Sequence, residues 1–183
     1  MNETFAKAVV TLKAEFMKKN ESTSHIYEII PISPESFSID KHELEMLHKF
    51  AENNSIYAGS YEMKILDTVC KVYHGDVNNY WLDSIKHDTS YAPFYPVWML
   101  SAYVLALQSK SLGAKQIIDI GSGDGRIAYC AKVTGLQSYG IEIDENLVSL
   151  EKKIVLSTKI DFKPMIADAT QFDYTSIELS QPI

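Results

Sequence analysis

Gln116-Ile-Ile-Asp119-Ile-Gly121-Ser-Gly123-Asp-Gly125 is the segment on which our fold prediction depends. A short apolar run contains an acid near its end, three glycines follow at alternate positions, and the residues from Arg126 onward have helical character. The apolar run does not alternate with polar residues, which is typical of a parallel strand covered by helices on both faces. We therefore predict a strand, a tight turn and a helix within an α/β fold.

The spacing of the glycines distinguishes this turn from two phosphate-binding turns. The dinucleotide-binding pattern G-x-G-x-x-G would place its third glycine at position 126, which is Arg126. A P-loop requires four residues between its glycines and then Lys with Ser or Thr, and the chain has neither feature. The loop still lacks bulky side chains, so that backbone N–H groups can approach a ligand at a helix N-terminus. We predict that this turn binds a small molecule.

The pattern D-x-G-x-G-x-G that begins at Asp119 resembles the first motif of the class I S-adenosylmethionine-dependent methyltransferases. Two later stretches resemble further motifs of that family in the expected order. One is a second strand that ends in an acid at Glu142, and the other is a third strand followed by the pair Asp168-Ala169. The resemblance implies a Rossmann-like parallel sheet, of which the chain carries the first three strands, and S-adenosyl-L-methionine as the cofactor.

The resemblance also implies roles for the acids. Asp119 suits the cationic methyl donor, Glu142 accepts from both ribose hydroxyls, and Asp168 accepts from the adenine amino group. The backbone N–H of Ala169 donates to the adenine ring. The alternative is that these acids only cap helices, which is the role we expect for Asp144. The complete set of implied cofactor-binding residues is Asp119, Gly121, Ser122, Gly123, Gly125, Glu142, Ile143, Asp168 and Ala169.

The composition is that of an ordinary globular protein, with 183 residues of which 46% are hydrophobic and 22% charged. A formal net charge of −7 disfavours broad, charge-driven binding to nucleic acid. No stretch is apolar enough to span a membrane and the first residues do not resemble a signal peptide, so we predict a cytoplasmic protein. Cys70 and Cys130, each in an apolar helical pattern, are predicted to be buried free thiols, and the scattered histidines predict no metal site.

Residues 1–89 predict a mostly helical extension that packs on a Rossmann-like domain formed by residues 90–183. Apolar residues at helical spacing predict a helix over residues 3–19, and residues 25–32 are predicted to be extended. Asp40, with an acid three residues later, has the spacing of a capping box that starts another helix. A further helix is predicted with Ser60 as its cap and with a buried stripe of Ile65, Leu66, Val69 and Val72.

Residues 90–96 contain two prolines and predict an extended segment ahead of a helix. Tyr91-Ala92-Pro93 is similar to a Tyr-x-Pro segment of archaeal and eukaryotic protein-lysine methyltransferases. Residues 118–127 also resemble those enzymes, notably the mitochondrial ones that methylate an ATP-synthase subunit lysine. The resemblance implies a protein substrate with a lysine amine as the methyl acceptor.

If that resemblance holds, Tyr91, Phe94, Tyr95 and Trp98 are candidates for the wall of a methyl-transfer channel, because aromatic faces hold a lysine stem and a methylammonium group. The alternative is that they are core or domain-junction aromatics, and for Trp98 we prefer that alternative. No catalytic base is visible in the sequence. Methyl transfer to an amine that is already deprotonated depends chiefly on in-line positioning.

The predicted third strand, near residues 162–167, contains Pro164 and therefore belongs at a sheet edge. The sequence ends where the family's fourth strand would begin, and in the family that strand pairs with the first. The first strand is thus expected to keep a bare apolar edge, which favours aggregation. Three explanations stay open: a fragment of a longer protein, a truncated inactive relative, or a chain whose sheet is completed by a partner.

Three hypotheses about function follow from these observations. The first is a methyltransferase that modifies a protein lysine. The second keeps the enzyme class but takes RNA or a small molecule as the acceptor; an Asn/Asp-Pro-Pro-Tyr/Phe motif after a fourth strand would indicate methylation of a planar nitrogen. The third is a module that binds the cofactor or serves as a scaffold without catalysis.

Overall fold

A computed structural model of the chain describes residues 3–20, 26–76 and 94–177. The helices and strands in these ranges are, in chain order, α1 (Glu3–Lys19), β1 (Ile26–Pro31), α2 (Lys41–Asn53), β2 (Tyr57–Ile65), β3 (Thr68–Gly75), α3 (Met99–Ser111), β4 (Gln116–Ile120), α4 (Arg126–Val133), β5 (Gln137–Glu142), α5 (Glu145–Thr158) and β6 (Lys163–Ile166). Two short 3-10 helices lie at Pro34–Ser36 and Tyr174–Ser176.

Strands β4, β5 and β6 form a parallel sheet in that order, and helices α4 and α5 connect the successive strands. This confirms the predicted Rossmann-like α/β fold. The register pairs Ile120 with Ile141 and Glu142 with Ile166, so that the carboxyl ends of the three strands lie together at one end of the sheet. Strand β6 stands at one side of the sheet and contains Pro164, as predicted for an edge strand.

Strand β4 stands at the opposite side of this sheet. Among the strands that the structure describes, it pairs only with β5. Ile120, at its carboxyl end, is 59% exposed. Within the described residues, therefore, the first strand has the bare edge that the sequence predicts.

Two helix starts follow the sequence prediction. The carboxylate of Asp40 accepts hydrogen bonds from the backbone N–H groups of His42 and Glu43 at 2.9 and 3.1 Å, and it caps α2. Asp144 caps α5 in the same way, accepting from Asn146 at 2.8 Å and from Leu147 at 3.3 Å. Both caps satisfy N–H groups that would have no partner inside the helix.

The further helix predicted after Ser60 is wrong. Strands β2 and β3 form an antiparallel hairpin there, and Ser60 pairs with Tyr73 inside the sheet instead of capping a helix. The turn between the strands includes Leu66, whose φ of 53° ends any regular element at this point. The N-terminal part is therefore a mixture of helices and an antiparallel sheet in the order β1-β3-β2, and not a mostly helical extension.

The helical spacing of the apolar residues in this hairpin misled the prediction. The side chains of Cys70 and Val72, two positions apart, are buried, whereas Leu66 and Val69 are exposed. The burial thus has the period of a strand, and the β-branched and aromatic residues of β3 favour that conformation. Cys70 lies in this strand rather than in a helix, although it is a buried free thiol as predicted, like Cys130 in α4.

The N-terminal part and the Rossmann-like sheet share one hydrophobic core. A single cluster of buried side chains includes Phe16, Ile29 and Leu47 from the first part of the chain. The same cluster includes Tyr129 and Phe162 from the second part. The predicted domain boundary at residues 89 and 90 lies outside the described residues and stays a prediction.

The helices of the described ranges are unsuited to a membrane crossing, since none combines sufficient length with sufficient apolar character. The cytoplasmic location stays a prediction.

Candidate functional site

The glycine loop, residues 121–125, joins β4 to α4 at the carboxyl end of the sheet. Its three glycines all adopt the left-handed backbone region, with φ between 60° and 77°. The loop is tied to the neighbouring strand, because the N–H groups of Gly121 and Ser122 both donate to the carbonyl of Ile141, at 2.8 and 3.2 Å. The sequence prediction of a strand, a tight turn and a helix is confirmed.

The surroundings of the three glycines differ. A Cβ atom at Gly123 would lie 2.6 Å from the ring of Phe94, and one at Gly125 would lie 2.8 Å from the ring of Phe162. A Cβ atom at Gly121 would meet nothing within 4 Å. Gly123 and Gly125 are therefore required by packing inside the protein, and Gly121 is the position at which the loop is open to a ligand.

Asp119 lies in β4, just ahead of this loop. Its Oδ2 atom is buried and has no hydrogen-bond partner among the described residues. Burial raises the pKa of Asp119 to about 6, and the nearby carboxylates of Asp124 and Glu142 raise it further in the same direction. A buried carboxylate oxygen without a partner costs free energy unless a donor or a cation reaches it. The chemistry of this position fits a cationic ligand.

Glu142, at the end of β5, has its carboxylate directed back to the protein backbone. One oxygen accepts from Gly123 N–H at 2.9 Å, and the other accepts from Ile143 and Asp144 N–H at 2.8 and 3.0 Å. This carboxylate therefore links β5 to the glycine loop. Since each oxygen accepts two hydrogen bonds at most, a bidentate contact with two ribose hydroxyls would require at least one of these N–H groups to be released.

Asp168 lies two residues beyond β6 and holds the turn that follows. Its Oδ1 atom accepts from the hydroxyl and the backbone N–H of Thr170 at 2.7 and 2.8 Å, and its Oδ2 atom accepts from Gln171 at 3.2 Å. These hydrogen bonds, chiefly that from the Thr170 hydroxyl, lower the pKa of Asp168. The neighbouring Ala169 accepts from the Tyr174 hydroxyl at 2.9 Å. Asp168 thus stabilises the turn that follows β6. It lies at the carboxyl end of the sheet, the same end as the other residues of the predicted site.

The aromatic residues predicted to line a substrate channel lie in different surroundings in the structure. Phe94 packs on Gly123 of the loop, whereas Tyr95 is 74% exposed and lines a cleft of about 200 Å³ together with Lys13, Tyr27 and Trp98. Trp98 packs edge-on against buried Phe16 and lies under the ammonium group of Lys13 at 5.0 Å. It is partly buried, so that it contacts the core, as we preferred, and also lines the cleft. Tyr91 lies outside the described residues.

Glu151 is a residue of this site that sequence reasoning missed. It lies in α5 with no exposed surface, accepts a hydrogen bond from the Ser122 hydroxyl at 2.6 Å, and has a second oxygen without a partner among the described residues. Burial raises its pKa to about 8. The signal was present in the sequence, because Glu151 lies four residues after Leu147 and three before Ile154, on the apolar face of the helix.

Arg126 is the second missed residue. In the sequence it excluded a dinucleotide fingerprint and marked the start of a helix, but no role in the site was predicted for its side chain. Its guanidinium group is buried and donates to Asp124 of the glycine loop, with Nε at 2.9 Å from Oδ1, and to Glu28 of β1 at 3.0 Å. Nothing local in the sequence links positions 28 and 126. Only the fold brings them together.

The described part of the chain has no cluster of side chains suited to a metal ion. Residues 3–20, 26–76 and 94–177 contain no group of three or more His, Cys, Asp or Glu side chains that could hold a metal ion. The carboxylates near the glycine loop instead accept hydrogen bonds from backbone N–H groups, Ser122 and Arg126.

No protein-family model and no curated protein sequence matches the chain. Several solved structures do. A candidate RNA methyltransferase from Pyrococcus horikoshii is 25% identical with a TM-score of 0.35, over 41% of this chain and 37% of that one. The tRNA (uracil-54, C5)-methyltransferase of Pyrococcus abyssi, solved with S-adenosyl-L-homocysteine, is 19% identical with a TM-score of 0.37, over 44% and 21%. A candidate O-methyltransferase from Klebsiella pneumoniae is 17% identical with a TM-score of 0.39, over 52% and 44%.

The aligned part of the chain spans less than half of each of these three proteins. All three proteins are described as methyltransferases.

Proposed function

We propose that the chain binds S-adenosylmethionine and acts as a class I methyltransferase. The observation that carries the proposal is the buried Oδ2 atom of Asp119, which has no partner within residues 3–20, 26–76 and 94–177, beside a loop that is open at Gly121. The cofactor carries an ammonium group and a sulfonium cation, and either charge would compensate this carboxylate. A ligand that approaches at Gly121 also reaches the N-terminus of α4.

The surrounding charges support a cationic ligand over a pyrophosphate. The carboxylates of Asp119, Asp124 and Glu142 lie close to one another at the glycine loop. The one guanidinium group nearby, that of Arg126, is already bound to Asp124 and Glu28. A pyrophosphate would bring two negative charges to this carboxylate-rich position. A dinucleotide-binding loop, in contrast, binds its pyrophosphate through backbone N–H groups and has no carboxylates that compete with it. This difference is the physical reason to prefer the methyl donor to NAD.

The remaining cofactor contacts are proposed on the family pattern. Glu142 exchanges part of its backbone hydrogen bonding for the ribose hydroxyls. Asp168 and the N–H of Ala169 receive the adenine, with Ile143 beside them at the end of β5. Ser122, Gly123 and Gly125 supply loop backbone. Bound there, S-adenosylmethionine supplies an activated methyl group, and the residues of the chain orient it and exclude water.

For the acceptor we propose a lysine amine of a protein. The support is the resemblance of residues 118–127 and of Tyr91-Ala92-Pro93 to protein-lysine methyltransferases. The packing of Phe94 on Gly123 agrees with it, because that contact brings the segment after Pro93 to the cofactor loop. Exposed aromatic side chains such as Tyr95 suit an alkylammonium group.

A second acceptor class, an RNA or a small anionic molecule, is favoured by one observation. The ammonium group of Lys13 lies over the ring of Trp98 in the cleft that Tyr95 also lines. A cation beside aromatic side chains suits a planar group that carries negative charge. The net charge of −7 weighs against extended contact with RNA but not against a single nucleotide or small anion.

Calorimetric titration of the folded, monodisperse chain tests the cofactor first, with S-adenosylmethionine as ligand and NAD as control. Micromolar binding of the methyl donor alone is expected. A well-folded chain that binds neither ligand contradicts the proposal. Transfer of a radiolabelled methyl group to a mixture of lysine peptides, to bulk RNA, or to neither then separates the two acceptor classes from a module that binds without catalysis.

A further inference from the structure

The guanidinium group of Arg126 is the centre of a buried polar network. It donates from Nη2 to Asp124 Oδ2 at 2.5 Å and to the Tyr57 hydroxyl at 3.1 Å, and from Nη1 to Glu28 Oε2 at 3.0 Å and to the carbonyl of Val97. The side chains of Arg126, Asp124 and Glu28 are all buried. Two carboxylates thus share one cation.

Asn54 extends the network to the end of α2. Its amide nitrogen donates to Asp124 Oδ2 at 2.8 Å, and its amide oxygen accepts from Ile56 N–H at 3.1 Å, which fixes the orientation of the amide. Glu28 in turn accepts from the N–H of Met99, the first residue of α3, at 2.8 Å. The network therefore connects the glycine loop to β1, to the end of α2 and to the start of α3.

The glycine loop needs such a connection. Its three glycines have access to a wider range of backbone conformations than other residues, and ordering them costs more conformational entropy. Asp124 lies between two of these glycines, and its side chain is held from the N-terminal part of the chain by Asn54 and through Arg126 by Glu28. A buried ion pair adds little to stability compared with packed apolar side chains, but it can select one geometry among several.

We propose that Glu28 and Asn54 are positioning residues for the glycine loop, acting through Arg126 and Asp124, so that the N-terminal part of the chain sets the shape of the cofactor site. The effect on binding rests on the proposed function of that site. The effect on the loop itself does not depend on it.

The test compares Glu28→Gln and Asn54→Ala with Val72→Ala as a control. Val72 is fully buried in β3 and makes no hydrogen bond to the network through its side chain, so its truncation destabilises the same sheet without touching the loop. Glu28→Gln keeps the shape of the side chain and one acceptor oxygen for Arg126, so it tests the charge independently of the result with Asn54→Ala. All variants are compared at a temperature well below their melting temperatures.

Two measurements are made on each protein. Hydrogen exchange of the Gly123 and Gly125 amides, followed by NMR without ligand, reports the order of the loop. The dissociation constant for S-adenosylmethionine reports the cofactor site. We expect faster loop exchange and about tenfold weaker binding in Asn54→Ala, the size of one lost hydrogen bond to a charged group, with a smaller change in Glu28→Gln and none in Val72→Ala.

The two proposals fail in different ways. A wild-type chain that does not bind the cofactor, but whose variants show faster loop exchange, contradicts the proposed function and supports the positioning role. Variants that melt earlier, as Val72→Ala does, but keep wild-type loop exchange and cofactor affinity overturn the positioning role, because the network would then contribute only to stability.

Discussion

The hydroxyl of Ser122 donates a 2.6 Å hydrogen bond to Oε1 of Glu151, which joins the glycine loop to the buried face of α5. An oxygen of this same glutamate would lie 3.1 Å from a Cβ atom at Gly140 in β5. A carboxyl group therefore lies beneath the loop, between a strand and a helix, in a place where most proteins have an apolar side chain.

The first prediction concerns the pH dependence that Glu151 gives to folding. Its pKa in the folded chain is about 8 against an ordinary value of 4.5, so between these values the folded state binds a proton that the unfolded state has lost. Stability should fall as pH rises through this window, by up to about 1.4 kcal/mol per pH unit. Glu151→Gln should remove the part of this dependence that Glu151 contributes, while Glu28 and Asp119, whose pKa values burial raises to about 7 and to about 6, keep their parts. Urea melts measure the dependence, and exposed Glu145→Gln on the same helix is the control. Equal pH profiles for wild type and Glu151→Gln would show that the carboxyl group is not neutral in the folded chain.

The second prediction concerns Asp119 and the charge of the ligand. Since burial raises its pKa to about 6 in the free protein, a bound cation should lower that pKa, and affinity for S-adenosylmethionine should increase as pH rises through about 6. Asp119→Asn should weaken binding by about 1.5–3 kcal/mol at neutral pH and should flatten the pH profile. Calorimetry at a pH below and a pH above this value checks both effects. If the affinity of the wild type for S-adenosylmethionine did not change with pH, Asp119 would not contact the cationic part of the ligand.

The third prediction tests the ribose contact of Glu142. Glu142→Ala should weaken cofactor binding by about 1.5–3 kcal/mol, the scale of hydrogen bonds to a charged group. Because the same substitution also removes the hydrogen bond to Gly123 N–H, affinity alone is not decisive. A double-mutant cycle with S-adenosylhomocysteine and its 2′-deoxy analogue separates the two effects. Additive losses would exclude a direct contact with that hydroxyl.

The fourth prediction uses the difference among the glycines. Gly121→Val should abolish cofactor binding, because its side chain points into open space where we place the ligand, and it should cost about 1–2 kcal/mol of stability for the positive φ. Gly123→Ala should destabilise the fold more, since its Cβ atom would lie 2.6 Å from the ring of Phe94. Thermal melts compare the stabilities of the two variants, and titrations with S-adenosylmethionine compare their affinities. Retained binding by Gly121→Val would remove the case for a close approach of ligand to loop.

The fifth prediction concerns the edge of β4. Among the described strands this edge has no pairing partner, and we propose that in the purified chain it associates with a second copy. The purified chain should therefore associate as its concentration rises. Ile120→Lys places a charge at an exposed position of the edge and should reduce association without unfolding. Sedimentation velocity measures both. A chain that stays monomeric at high concentration would argue against an open edge.

The sequence predicted the elements that local chemistry determines. The glycines at alternate positions led to the strand, turn and helix around Asp119, the acids Asp40 and Asp144 marked helix starts, and Pro164 marked an edge strand. Each of these signals acts through its nearest neighbours along the chain. For that reason these elements could be predicted from the sequence without knowledge of the tertiary structure.

The errors and omissions have a different origin. The helix predicted after Ser60 rested on the helical spacing of four apolar residues that end at Val72, but a hairpin lies there. Two of these residues are exposed in it, and Cys70 is buried beside Val72, so the packing of the strands, and not the apolar spacing, decides the structure. The contact between Glu28 and Arg126 joins positions 98 residues apart, and no local pattern announces it. Glu151 could have been found, because an acid on an apolar helical face is a local signal.

Tyr129 of α4 shows what the shared core means for the evolution and engineering of this protein. Its ring packs on Phe50 of α2 at 4.9 Å and on Phe162 at 6.3 Å, and its hydroxyl donates to the carbonyl of Met46 at 2.9 Å. The glycine loop and α4 therefore cannot be transferred to another protein as an independent unit. A chimaera that grafted residues 94–177 onto a foreign N-terminal part would leave this tyrosine without half of its contacts, so the two parts of the chain must be exchanged together.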